Sequence, residues 1–280
     1  MQNGFDSRAA SKAAEPSKHI IFHAHGGGWA TQTSKSHDVY LREWAAKIDV
    51  PILSIDYSLA PEAPFPRSVE EMLYAYCWIL KNPEIVGWTG EHVVVAGDSA
   101  GGNLVTSLVV NCIEKGIRKP NGLVCIYTPF WIGYPMSPAR FLSFICPVLP
   151  FGFTSRLVKS YAEKIEDQSI IENRKANIKN KQRTIYLSHD AEFNVPVIES
   201  TLLSPYLVGD EILKEFPPSK FISSNMDPCL DDGVEFAKKL KKQNVDVQVE
   251  VLSGITHGFL YFTQVRLFLY NLANISSAIW

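Results

Sequence analysis

Apolar and polar positions along the chain fall into two alternating rhythms. Ile20-Ile21-Phe22 is a short, continuous apolar run, the pattern of a strand buried on both faces. Residues 36–48 then place Tyr40, Leu41, Trp44, Ala45 and Ile48 at helical spacing. A second apolar run at 51–55 predicts another strand, and the proline-rich 59–66 excludes regular structure. Ser68-x-x-Glu71 has the form of a capping box opening a helix over 68–80. Four more strands are predicted at 91–96, 122–127, 220–224 and 245–251, with helices at 100–115 and 232–242. Apolar strands alternating with amphipathic helices predict an α/β fold, a mostly parallel sheet with helices on both faces. Such sheets carry their chemistry in loops at the carboxyl ends of the strands.

The rhythm fails at both ends and in the middle. Residues 1–18 are polar and predict a disordered segment without the apolar core of a secretory signal, so the expected location is cytoplasmic. The remainder, 19–280, reads as one domain with an irregular insertion at about 129–218. Within it, 155–199 mixes both charge signs with few apolar residues and predicts a partly helical, partly disordered cover over the active-site edge. Residues 141–153 are apolar but short and hold Pro147 and Pro150, which suits a mobile flap, a lipid-touching surface or simple core packing. Residues 259–280 are broken by Gln264, Arg266, Asn271 and Asn274 and predict a packed terminal helix, not a membrane span.

Composition narrows the function classes. With 280 residues, 46% hydrophobic and 20% charged, the chain suits one globular α/β domain. A net charge of -2 gives no field to attract nucleic acid. The five cysteines, Cys77, Cys112, Cys125, Cys146 and Cys229, are widely spaced and read as reduced core thiols, with no disulfide frame or metal site expected.

The chemistry begins where the third strand ends. Gly97-Asp98-Ser99-Ala100-Gly101 places a serine between a strand and a helix, at the apex of a sharp turn. Average composition alone produces such a pentapeptide in roughly one chain in ten of this length, so its companions decide. His25-Gly26-Gly27-Gly28 follows the first strand, and its side-chain-free amides, with that of Ala100, are candidate oxyanion donors. Of seven histidines only His257 follows the last strand, where an imidazole can overhang the sheet edge as general base. Asp227, just past the fifth strand, is the candidate orienting acid. Its rivals Asp231 and Asp232 read as the amino-terminal cap of the next helix, and Asp98 points away from the nucleophile. The order Ser99, Asp227, His257 is that of the α/β-hydrolase arrangement, and it needs neither metal nor cofactor.

On these residues the chain resembles the hormone-sensitive lipase family of serine esterases, in its catalytic domain. The likeness is carried by His25-Gly26-Gly27-Gly28, by DYSLAPEAPFP at 56–66, GDSAGGN at 97–103, DPxLDD at 227–232 and HGF at 257–259. It implies Ser99 as nucleophile, Asp227 as orienter, His257 as base, and Gly26, Gly27 and Ala100 as oxyanion donors. It implies acylglycerols and other neutral lipid esters as substrates, a lipid-droplet surface as meeting place, and a phosphorylated regulatory segment where 155–199 lies. Lys181-Gln182-Arg183-Thr184 is a weak basophilic-kinase pattern there. The fold's first two strands have no counterpart in the chain, which is expected to leave 51–55 as a nearly bare edge and points to a fragment of a longer protein. A small-molecule carboxylesterase, a non-catalytic ligand-binding hydrolase-like protein and an inactive fragment remain open alternatives, as does the oligomeric state.

Overall fold

The structure is a computed structural model that describes residues 15–132, 137–162 and 199–262. Six strands form one all-parallel sheet: β1 (Ser17–Ala24), β2 (Ile52–Ile55), β3 (Trp88–Asp98), β4 (Gly122–Ile126), β5 (Ser219–Met226) and β6 (Val247–Thr256), in the order β2-β1-β3-β4-β5-β6. Side chains alternate across the sheet, so each strand feeds two cores. Ile20, Phe22, Val93, Val95, Leu123, Cys125 and Phe221 face one core with helices α2 (Arg67–Lys81) and α3 (Ala100–Glu114). Ile21, Val94, Ala96, Val124, Ile126 and Ile222 face the other, covered by α1 (Asp38–Ile48) and by Phe259 and Leu260. The predicted doubly covered parallel sheet is thus present, each strand end lying within five residues of its expected place.

Two local readings give way to tertiary partners. Ser17 and Lys18, expected to be disordered, begin β1, because Ser17 N–H donates to Gly87 O at 2.8 Å and Ser17 pairs with Trp88. Residues 1–14 lie outside the described residues. The capping box does not form: Pro66 is the N-cap of α2, without a side-chain bond. Ser68 Oγ is instead buried 2.5 Å from the Tyr161 hydroxyl, and Glu71 accepts from Ser58 N–H at 2.6 Å and Arg67 Nε at 2.7 Å, holding the loop after β2.

The described parts of the insertion carry short helical elements. A 3-10 turn (Ala139–Phe144), helix α4 (Phe151–Ala162), a second turn (Pro205–Leu207) and the short α5 (Asp210–Leu213) lead back to β5. Residues 163–198, with the 181–184 pattern, and 263–280, with most of the expected terminal helix, lie outside the described residues. Among the described residues no helix is long and apolar enough to cross a membrane. Helix α6 (Leu230–Lys242) closes the fold beside β5 and β6.

Candidate active site

β3 ends in a strained turn. Ser99 has φ 52° and ψ -123°, a conformation that a side chain tolerates only when its surroundings enforce it. The enforcement comes from both sides: Ser99 N–H donates to Ile126 O at 2.9 Å, and α3 starts at the next residue. A Cβ at Gly101 would lie 2.0 Å from Ala24 O, so the helix can press against the end of β1 only with glycine there. The result is a half-buried hydroxyl standing above the sheet.

The sheet order brings the distant partners to it. β5 delivers Asp227 and β6 delivers His257, both at carboxyl ends. His257 Nε2 lies 3.0 Å from Ser99 Oγ, while its Nδ1 lies 3.0 and 3.1 Å from the two Asp227 oxygens. A carboxylate only accepts, so Nδ1 carries the proton and Nε2 presents its lone pair to the serine. Asp227 is fully buried and also accepts Cys229 N–H at 2.7 Å, which fixes its orientation. The Tyr127 ring packs against His257 at 4.6 Å.

Asp227, Cys229 and His257 offer donor atoms within 4.8 Å of one another, the only such grouping among the described residues. The acid and imidazole are already bonded to each other, however, and the Cys229 thiol is pushed well above its ordinary value by burial and by the Asp227 and Asp232 carboxylates. A thiol that keeps its proton is neither a good metal ligand nor a rival nucleophile.

Hydrogen bonds to carbonyls aim the glycine loop. Gly26 O accepts from His25 Nδ1 at 2.7 Å, and Gly27 O accepts from Thr31 Oγ1 at 2.8 Å and Thr31 N–H at 3.0 Å. A trans peptide is planar, so anchoring each carbonyl turns the next N–H the opposite way. The amides of Gly27 and Gly28 are thereby directed, and both glycines border the cavity that Ser99 opens into. Burial lowers the His25 imidazole below its ordinary value and keeps it a neutral donor. The expectation for Gly26 needs correction: its N–H is spent on Asp98 Oδ1 at 3.1 Å and on His37 Nε2 at 2.9 Å, behind the site. Gly27, Gly28 and Ala100 remain as candidate donors.

Ser99 sits between two cavities. One, of about 570 Å³, is apolar and lies beside Ala100, walled by Trp29, Pro129, Trp131, Leu149 and Leu157. The other, of about 810 Å³, is more open and lies beside His257, with Tyr127, Phe153 and Phe262. Sequence reasoning missed what holds the first wall. Asp231 and Asp232 occupy the first turn of α6, but Cys229 is its N-cap and makes no side-chain bond. Asp232 instead accepts the Phe130 and Trp131 amides, each at 2.9 Å, and Arg140 Nη2 at 2.7 Å, while Asp231 accepts the Ala139 amide. Burial raises the Asp232 carboxyl despite the Arg140 charge. A buried pair thus pins the start of the insertion to α6.

A parallel sheet, a strained serine after β3, and an acid and a histidine from the next strands over define an α/β hydrolase with a serine nucleophile. The chain belongs to the alpha/beta hydrolase fold family, whose model matches residues 21–261. It is similar to hormone-sensitive lipase of Homo sapiens, 47% identical over 157 residues that make up 56% of this chain and 15% of the human protein. An esterase of Gibberella moniliformis is 23% identical over 88% of this chain and 69% of its own length. Among solved structures, an esterase of Pyrobaculum calidifontis shares the fold with a TM-score of 0.78 at 24% identity, over 96% of this chain and 77% of that one. Carboxyl esterase 2 of Tuber melanosporum does so with a TM-score of 0.77 at 20% identity, over 95% and 80%. The chain therefore spans under a fifth of the length of the human lipase that it matches.

Proposed function

We propose that this chain is a serine ester hydrolase acting on acylglycerols and other neutral lipid esters through an acyl-enzyme. The observation that carries the reading is the unbroken hydrogen-bonded line from Asp227 through His257 to Ser99 Oγ, ending between two largely apolar cavities. His257 Nε2 takes the Ser99 proton as Oγ attacks the ester carbonyl. The carbonyl oxygen then meets the Gly27, Gly28 and Ala100 amides, each typically contributing about 3 kcal/mol in the transition state. His257 next protonates the departing alcohol, so the alcohol occupies the more open cavity beside it and the acyl chain the apolar one beside Ala100. Water, activated by the same imidazole, releases the fatty acid.

The lipid part of the proposal rests on the likeness to hormone-sensitive lipase and on the surface near the mouth. Phe141, Phe144 and Ile145 are 57%, 62% and 77% exposed, close in sequence to the cavity-lining Leu149 and Phe153. Single exposed apolar residues are ordinary, but a run of them suits a lipid interface, here the surface of a cytoplasmic lipid droplet. The test compares emulsified diacylglycerol with soluble 4-nitrophenyl butyrate. Cleavage of both, lost together with fluorophosphonate labelling in Ser99→Ala, supports the proposal. Cleavage of the soluble ester alone makes the chain a small-molecule carboxylesterase, and labelling that survives Ser99→Ala removes the triad reading.

A further inference from the structure

Behind the triad lies a buried histidine that the mechanism above leaves unused. His37 is 0% exposed and stands at the end of a 3-10 turn (Ser34–His37) before α1. Its Nδ1 faces the Thr33 carbonyl at 3.0 Å and Ser36 Oγ at 3.1 Å, so the ring is held and Nδ1 carries a proton. Its Nε2 is 2.9 Å from the Gly26 amide nitrogen, 3.2 Å from Asp98 Oδ1 and 2.5 Å from the Tyr261 hydroxyl. Each contact leads to a different catalytic segment. Gly26 opens the oxyanion loop, Asp98 immediately precedes the nucleophile, and Tyr261 lies in the 3-10 turn just past His257.

We propose that His37 is a positioning residue for ester hydrolysis, locking the oxyanion loop, the nucleophile turn and the base-bearing turn into one alignment through its Nε2. The proposal rests on the hydrolytic reading above. The rest of the network points the same way. Asp98 Oδ1 accepts from the Tyr40 hydroxyl at 2.9 Å and from the Gly26 amide at 3.1 Å, and Oδ2 accepts from Tyr127 at 3.2 Å. A Cβ at Gly26 would meet Asp98 Oδ2 at 2.5 Å, so the loop is seated directly on the carboxylate. Tyr261 also donates to Gln32 Oε1 at 2.6 Å, a second tie from the base-bearing turn to the residues that follow the glycine loop.

Burial alone would raise the Asp98 carboxyl, yet the His37 and His23 imidazoles beside it and the hydrogen bond from Tyr40 hold it at about 2. An anion is therefore present behind the loop at any working pH. Gly26 N–H aims at it, and the peptide that follows is the one that directs Gly27. Loosening His37 frees that peptide to turn, and a misdirected amide contributes nothing to an oxyanion. The substrate cavities do not include His37, so ground-state binding is expected to survive.

The experiment uses the whole chain with His37→Ala, His37→Gln and Tyr261→Phe, and Leu240→Ala as a core control remote from the site. Each is assayed with 4-nitrophenyl butyrate and with an alkyl trifluoromethyl ketone, which forms a tetrahedral adduct and so reads the oxyanion donors. Removing one donor outright lowers kcat about 100- to 1,000-fold, so misaiming it in His37→Ala is expected to lower kcat about 30-fold with KM within about twofold. Affinity for the ketone falls in parallel, and His37→Gln, which keeps a polar partner for Gly26, recovers part of both. Tyr261→Phe, which deletes one hydroxyl, lowers kcat about threefold to tenfold. Leu240→Ala lowers the melting temperature and leaves kcat unchanged. A folded His37→Ala with kcat and ketone affinity within twofold of the parent overturns the proposal; where that variant does not fold, Tyr261→Phe with unchanged values does so. A parent that cleaves no ester overturns the hydrolytic reading and this proposal with it, whereas an active parent with unaffected variants overturns this proposal alone.

Discussion

Asp227→Asn tests the catalytic reading most sharply, because the structure dictates which way the new amide must face. Asp227 Oδ1 accepts the Cys229 N–H at 2.7 Å, and an NH2 group there would set two donors face to face. The asparagine oxygen therefore stays on Cys229, and its NH2 takes the place of Oδ2, 3.0 Å from His257 Nδ1. His257 Nδ1 then becomes the acceptor, and its proton moves to Nε2, which faces Ser99 Oγ at 3.0 Å. An imidazole that presents N–H to the serine cannot take the serine proton. In a serine protease the same exchange lowers kcat about 10⁴-fold, which at about 1.4 kcal/mol per decade is about 5.5 kcal/mol of lost transition-state stabilisation. We expect that magnitude here, with KM nearly unchanged because Asp227 lines neither cavity. The fold should persist, since the buried amide keeps two partners and the same shape. Steady-state kinetics on 4-nitrophenyl butyrate, with a thermal melt alongside, make the measurement. A well-folded Asp227→Asn protein retaining kcat within about tenfold of the parent would refute the assignment of Asp227 as orienter.

Three further outcomes follow from the same contacts. The Asp98 carboxyl, at about 2, lies below its ordinary 3.8, so its stabilising effect is complete above pH 4 and is lost as the pH falls through 2. Urea melts should show the parent more stable than Asp98→Asn by about 2 kcal/mol at pH 7, a gap that closes by about pH 2. Arg140→Ala leaves the buried Asp232 charge unpaired and is expected to cost about 3–5 kcal/mol, much of it regained when Arg140→Met is combined with Asp232→Leu. Gly101→Ala drives a methyl into the Ala24 carbonyl and is expected to cost about 3 kcal/mol and to abolish fluorophosphonate labelling, both readable on one purified sample.

Strands and helices were legible because periodicity reports burial directly: Val93 and Val95 face one core, Val94 and Ala96 the other. The meeting of Ser99, Asp227 and His257 was legible because chain order and strand ends suffice to place them together. Features that depend on partners far along the chain were not. Ser68 and Glu71 have the spacing of a cap, yet Tyr161 and Ser58 offer them buried or better-oriented partners. Asp232 has the spacing of a helix cap and serves the insertion through Arg140. Gly26 matches its neighbours in residue type, and only a contact spanning 72 residues shows its amide turned to Asp98. The role of His37 has no local signature, since its Nε2 partners come from three separate turns, the farthest 224 residues away.

The two halves of the catalytic pair stand on unequal ground. Ser99 rises from β3, which is flanked by strands on both sides, whereas His257 hangs from β6, which pairs with β5 alone among the described residues. Val249 and Val251 on that strand are 47% and 45% exposed. Edge strands open at lower free energy than central ones. Withdrawal of β6 would carry the base out of reach while the nucleophile stayed on β3. On warming, such a protein falls silent before it melts, and the temperature at which it stops turning over substrate reports on one strand and not on the whole fold.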